Sequence, residues 1–259
     1  MSDVATLMVQ DKVATITINR PSSMNGYNLE MAQTLLAHTE AVELMTDVKV
    51  ILIKGAGPCF MAGGDVHFFK QNLASMPAGV REIIRMLANT ILNIQHSKKI
   101  YLAQVHGAVA GAGMSLMLAA DLVIAEENTV FSTAYNGLGT SPDGGLSYFL
   151  PRLVGSKRAI AWLLLSERLS AQLLFDHGLI NQLASETEMA TELQKLLMKL
   201  IGLPRQSSAA IKRLVKCSQH QSLEQQLEEE AQLFISSVQT AEFKEGVNAF
   251  LEKRQAKHD

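Results

Sequence analysis

The chain has 259 residues, enough for one large domain with a substantial core, and its 47% hydrophobic and 19% charged residues are typical of a folded protein, not a disordered one. Lys and Arg total 23 against 25 Asp and Glu, a formal net charge of −2 that argues against a charge-driven nucleic-acid or membrane partner. The two cysteines, Cys59 and Cys217, make no metal-type cluster, and no apolar run is long enough to span a bilayer. The expected location is cytoplasmic, with an organellar matrix as the alternative if a transit segment has been removed.

Residues 13–19 (VATITIN) alternate and are rich in β-branched side chains, which predicts a strand paired with residues 4–9. RPSSMNG (residues 20–26) reads as a turn, and Asn28 as the cap of a helix running to about Met45. VKVILIK (residues 48–54) is the next strand and ends in a Gly-rich loop. A helix then carries Ile83, Ile84, Leu87, Ile91 and Ile94 along one side. IYLAQV (residues 100–105) is a third strand, followed by HGAVAGAG (residues 106–113) and a short apolar helix. Residues 122–125 and 129–132 supply two more extended segments. From about residue 155 helical periodicity dominates, over residues 160–166, 171–177, 187–201, 206–216, 223–238 and 242–255. Strands alternating with helices predict an α/β fold with a mainly parallel sheet, followed by a helical C-terminal region.

Two Gly-rich loops follow two different strands, where ligands bind in open α/β sheets. They are FMAGGD (residues 60–65) and Gly111-Ala112-Gly113, the latter directly before a helix. N–H groups from the two loops can converge on one carbonyl oxygen and stabilise the oxyanion it becomes. Tight packing alone also accounts for glycines in such connections. Neither loop has a Walker A or dinucleotide-binding spacing. His67 and His106 are candidate bases, with a structural hydrogen bond as the plainer reading. Ser115 lacks a nucleophile elbow and reads as packing. TSPDGG (residues 140–145) holds a carboxylate, Asp143, in a run of turn formers; it is either a turn residue or an acid aimed into a pocket.

The motifs in order resemble the crotonase superfamily, also called the enoyl-CoA hydratase/isomerase family. They are Asn19-Arg20-Pro21 with Asn25, FMAGGD, VHGAVAGAG, Ala119-Ala120-Asp121, GTSPDGG, LPRLVG (residues 150–155), LSAQ (residues 169–172) with Gly178-Leu179-Ile180, and EGVNAFLEKR (residues 245–254). The resemblance implies a spiral of ββα repeats as the catalytic core (residues 1–195) and a helical trimerisation region (residues 196–259). It further implies a homotrimer or a hexamer built as a dimer of trimers, an acyl-CoA thioester as substrate, no separate cofactor or metal, and a role in fatty-acid or other lipid metabolism. By resemblance the oxyanion hole is the N–H of Gly64 and of Ala112, where Ala replaces the usual Gly. Gly64, Asp65, Val66 and His67 contact CoA, Ala62 lies near its adenine, and Phe250 and Lys253 reach the CoA of a neighbouring subunit.

Hydratases of this family place two glutamates on one water. Those positions are Ser115 and Tyr135 here, and neither is a carboxylate base near neutral pH. Asp143, eight residues after Tyr135, falls where dienoyl-CoA isomerases and Δ3,Δ2-enoyl-CoA isomerases carry an acid. SPDGG with YFLP also resembles ring-acting isomerases of phenylacetate catabolism, and aryl-CoA dehalogenases place a nucleophilic aspartate at this site. The expected function is an enoyl-CoA isomerase with Asp143 as acid and base. Tyr135 and Phe149 wall its pocket, and residues 66–97 set substrate choice. A hydratase, an aryl-CoA dehalogenase and a non-catalytic CoA-binding protein are the alternatives.

Overall fold

The computed structural model describes residues 4–72 and 76–258. β1 (Ala5–Gln10) and β2 (Val13–Ile18) form an antiparallel hairpin, and β2 continues into a parallel array. That array runs through β3 (Val50–Gly55), β4 (Ile100–Val105), β6 (Leu122–Glu126) and β9 (Gln182–Ala184), giving a six-stranded sheet in the order β1-β2-β3-β4-β6-β9. Both faces of its centre are covered, which explains the unbroken apolar run VILI in β3. Val50 and Leu52 face outward with Ile100 and Leu102, while Ile51 and Ile53 face inward with Tyr101 and Ala103.

Each passage through the large sheet leads to a short extended segment in a second layer. Tyr27 bridges Gly64, Met61 bridges Val109 in β5 (Ala108–Ala110), and β5 pairs with β7 (Val130–Ser132), which pairs with β8 (Leu169–Ser170). Helices follow these segments: α1 (Leu29–Leu44), then α2 (Val66–Gln71) and α3 (Met76–His96), then α4 (Ala112–Ala119). This is the expected spiral of ββα repeats. Asn28 caps α1 through a 3.0 Å bond from the Met31 N–H, as its position predicts.

Three local expectations change. In α3 the buried stripe is Ile83, Leu87, Ile91 and Ile94, and Ile84 is 38% exposed because it stands off that i, i+4, i+8, i+11 line. α2 and α5 (Leu146–Val154) are helices directly after the Gly-rich loop and the TSPDGG turn, over residues where the sequence pattern marked no element. β9 is a further short strand at the sheet edge.

The remaining helices are α6 (Ser156–Leu165), α7 (Ala171–Asp176), α8 (Met189–Ile201), α9 (Arg205–Cys217), α10 (Leu223–Val238) and α11 (Ala241–Leu251). α8, which runs through residue 195, covers the outer sheet face with Met189, Leu197 and Leu200. Lys49, itself buried, donates from Nζ to the carbonyls of Ile201 (3.1 Å) and His258 (3.1 Å) and so caps the end of α8. α9 is attached by charge. Lys212 and Lys216 reach the Asp121 carboxylate at 2.6 and 3.2 Å, and Asp121 also accepts the Tyr101 N–H at 2.8 Å.

Burial pushes the Lys212 ammonium toward its neutral form, and Asp121 opposes that shift. Removing Asp121 strands a cation whose side chain is only 11% exposed. Asp121→Ala is therefore expected to cost about 3–5 kcal/mol, read as a lower urea midpoint. A loss under about 1 kcal/mol would show that the pair does not hold α9.

Candidate active site

The first Gly-rich loop is shaped by Asn25, a fully buried residue in a left-handed conformation (φ 57°). Its Nδ2 donates to the carbonyls of Ala56, Cys59 and Phe60 at 2.9, 2.7 and 3.1 Å, and its Oδ1 accepts the Arg20 N–H at 2.8 Å. The loop then passes Ala62, whose N–H donates to Met24 O, and reaches Gly64 opposite Tyr27. Asp65 caps α2 by accepting the Phe68 N–H and pairs with Arg20 at 2.8 Å. Burial disfavours its charge, but the Arg20 guanidinium and the Phe68 N–H outweigh this and hold the carboxyl below its usual value. Its side chain is thus committed within the chain, whereas Val66 and His67 stand exposed at the start of α2. His106 donates from Nε2 to the Gly57 carbonyl at 2.9 Å, the structural role anticipated for it.

The second loop lies against the first. A Cβ at Gly113 would sit 2.3 Å from the Met61 carbonyl oxygen, so only glycine permits this approach. Gly111 faces Gly63, where a Cβ would make only an ordinary 3.5 Å contact with the Gly63 Cα, and its φ of 47° is what favours glycine there. Gly64 and Ala112, each one residue further on, are brought together. Ala112 opens α4, where backbone N–H groups lack intrahelical acceptors. Among the described residues neither the Gly64 nor the Ala112 N–H has an acceptor.

Asp143 stands at the entrance to α5. Its main-chain oxygen accepts the Leu146 N–H (3.1 Å) and the Ser115 hydroxyl (2.9 Å). Its Oδ1 accepts the Tyr135 phenol proton at 2.6 Å. Burial raises the Asp143 carboxyl above its ordinary value of 3.8, and the Tyr135 hydrogen bond works against the rise. Tyr135 is pushed well above its usual range by burial and by the Asp143 charge, so it remains a donor. The sequence pointed to Asp143 and Tyr135 but took Ser115 for packing alone. It gave no sign of Tyr27, whose buried hydroxyl has no partner among the described residues and whose pKa is raised by burial and by Asp143.

Phe250 and Lys253 do not join this cluster within the chain. Phe250 is 83% exposed and lines a separate cavity of about 380 Å³ with Phe243, Val247 and Leu251. Lys253 lies just past α11. Among the described residues no group of three or more His, Cys, Asp or Glu side chains is placed to hold a metal ion, and no helix is long and apolar enough to cross a membrane.

Residues 8–259 match the family model described as enoyl-CoA hydratase/isomerase. The chain belongs to the enoyl-CoA hydratase/isomerase family. A relative in that family is the 1,2-epoxyphenylacetyl-CoA isomerase of Escherichia coli (strain K12), 31% identical over 247 residues that cover 95% of this chain and 94% of the relative. The trans-2-decenoyl-[acyl-carrier-protein] isomerase of Streptococcus mutans is 30% identical over 252 residues, 96% of this chain and 95% of the relative. Among solved structures, an enoyl-CoA hydratase from Polaromonas sp. JS666 superposes with a TM-score of 0.94 at 32% identity, covering 98% and 99% of the two chains. Most of the relatives are named for acyl-CoA thioesters and one for an acyl-carrier-protein thioester, and both isomerases and hydratases stand at similar distance from this chain.

The unpartnered Tyr27 hydroxyl gives a clean stability test. A buried donor without an acceptor costs about 1–3 kcal/mol, so Tyr27→Phe is expected to leave the melting temperature unchanged or raise it. A drop corresponding to more than about 1 kcal/mol would mean that the hydroxyl is satisfied in solution.

Proposed function

We propose that the chain is an enoyl-CoA isomerase that converts a 3-enoyl-CoA, or a related ring-acyl thioester, to its conjugated 2-enoyl isomer. The observation that carries this reading is the half-buried Asp143 carboxylate, held at 2.6 Å by Tyr135, with Ser115 and Tyr135 in place of a carboxylate pair. The two isomerase relatives support the reaction class.

The thioester oxygen lies between the N–H groups of Gly64 and Ala112. Asp143 takes a proton from C2, the electron pair moves into the conjugated system, and the thioester oxygen becomes an enolate oxygen. The N–H pair stabilises that charge by roughly 3–4 kcal/mol per donor, by analogy with other oxyanion holes. The same carboxyl then returns the proton at C4, and the double bond ends between C2 and C3. One group serves both steps because the dienolate is basic at both carbons. Activating a water asks for more, since one group must deprotonate it while another protonates the α-carbon. The CoA moiety runs over Ala62, Gly64, Val66 and His67, with Asp65 contributing main-chain contacts only.

The same reading makes the assembly a homotrimer or a dimer of trimers. α10 and α11 leave Phe234, Ile235, Phe250 and Leu251 exposed, and the α11 cavity receives the neighbour's CoA. Sedimentation at micromolar concentration is expected to give three or six chains, and a monomer would overturn the assembly.

Two measurements test the chemistry. Asp143→Asn is expected to lower isomerisation of a 3-enoyl-CoA by about 10²–10⁴-fold and to abolish deuterium uptake from D2O. Undiminished turnover would remove Asp143 from the mechanism. The base must be ionised, and burial raises its pKa above 3.8, so kcat/KM should fall on the acid side at a pH above the ordinary carboxylate value. Hydration of a 2-enoyl-CoA at a rate matching isomerisation would favour a hydratase instead.

A further inference from the structure

We propose that Ser115 is a positioning residue for Asp143: its hydroxyl anchors the Asp143 main chain to α4, and its Cβ packs against the Gly144 turn beside it. The proposal rests on the reading of Asp143 as the proton carrier.

Ser115 is fully buried in the first turn of α4, the helix that begins at Ala112. A serine inside a helix ordinarily turns its hydroxyl back to the carbonyl four residues earlier. Here that carbonyl, Gly111 O, is 3.5 Å away, whereas Asp143 O is at 2.9 Å. The single hydroxyl proton therefore goes across to the α5 entrance. The Tyr135 oxygen lies 3.4 Å from Ser115 Oγ, but its own proton is engaged at 2.6 Å by Asp143 Oδ1. Asp143 is consequently held by three hydrogen bonds: the Leu146 N–H of its own turn and the Ser115 hydroxyl of α4 on its main-chain oxygen, and Tyr135 on its carboxylate.

The space around Ser115 is filled by the turn itself. Gly144 has φ 55°, and a Cβ built on it would lie 2.8 Å from Ser115 Cβ, 2.9 Å from Leu87 Cδ2 and 3.1 Å from Ser115 Oγ. Gly144 thus rests directly on the serine. Bulk added at Ser115 Cβ presses on this contact, and through it on the turn that carries Asp143.

The test reads Asp143 with and without substrate. Its carboxyl is titrated by 13C NMR on 13C-labelled protein, and isomerisation of a 3-enoyl-CoA is followed beside it, in the wild type, Ser115→Ala, Ser115→Cys and Ser115→Thr. Ser115→Ala removes the one bond that ties the Asp143 main chain to α4, leaves only the turn's own Leu146 N–H on that oxygen, and lets the carboxyl shift toward solvent. It should titrate closer to 3.8, with kcat down by about 10–100-fold and KM within about twofold. Ser115→Cys, a weaker donor of similar size, should recover part of both. Ser115→Thr keeps the hydroxyl but adds a methyl against Gly144, and it should resemble Ser115→Ala. An unshifted titration with wild-type kcat in Ser115→Ala would overturn the anchoring role, and wild-type behaviour of Ser115→Thr would overturn the space argument. If the protein isomerised no 3-enoyl-CoA at all, the titration would still decide the Ser115 inference by itself.

Discussion

The site depends on one contact between backbones. The Gly113 Cα faces the Met61 carbonyl so closely that an added methyl would stand 2.3 Å from the oxygen. That approach lets the loop after β4 lie on the loop after β3. β3 and β4 are neighbours in a parallel sheet, paired from Val50 with Ile100 through Lys54 with Gln104. Adjacent strands are about 4.7–4.9 Å apart, so successive turns of the spiral deliver their loops to the same edge at nearly fixed spacing. Asn25 holds the first loop in shape with three carbonyl contacts, and the opening turn of α4 shapes the second. Two N–H groups without acceptors among the described residues, on Gly64 and Ala112, follow from this stacking, and Asn25 is the side chain that shapes it.

The acid is governed by the opposite kind of chemistry. Asp143 is a side chain in a partly dry place, where burial favours its neutral form. A second carboxylate nearby would raise it further, because two like charges at short range do not both ionise. A phenol does the reverse. Tyr135 donates at 2.6 Å and, being pushed far from its own ionisation, has no charge of its own to add. The pair leaves one carboxylate whose hold on a proton burial strengthens and the phenol restrains, in keeping with a carrier that both accepts and returns a proton.

What was legible in the sequence follows the range of the interactions. Strands with period-two patterning, the Asn28 cap and the C-terminal helices depend on residues a few positions apart, and their extents were read to within a few residues. Ile84 was misread because four apolar positions already define the α3 stripe and a fifth beside them looks equally eligible. α5 was hidden because paired glycines signal a turn, and here they are the turn that enters a helix. The clasp of Lys212 on Asp121 and the contact of Ser115 with Asp143 join residues far apart in the chain. Nothing local announces either of them. Asp143 itself was found through the motif around it, not through its immediate neighbours, which alone describe an ordinary turn.

The division between backbone and side chain also bears on why relatives near 30% identity carry different reactions. The N–H pair is produced by glycine contacts, sheet spacing and the Asn25 clasp on the first loop, so it depends on few side chains beyond those glycines and Asn25. The acid-base groups project into the space beside it from α4, from the segment after β7 and from the α5 entrance, at positions 115, 135 and 143. Those positions can be exchanged without disturbing the sheet, because none of them belongs to a strand. On the proposed reading this chain keeps the oxyanion hole and moves its acid from the first two positions to the third. The reaction changes from adding water to moving a double bond through substitutions at side chains that the fold itself does not need as carboxylates.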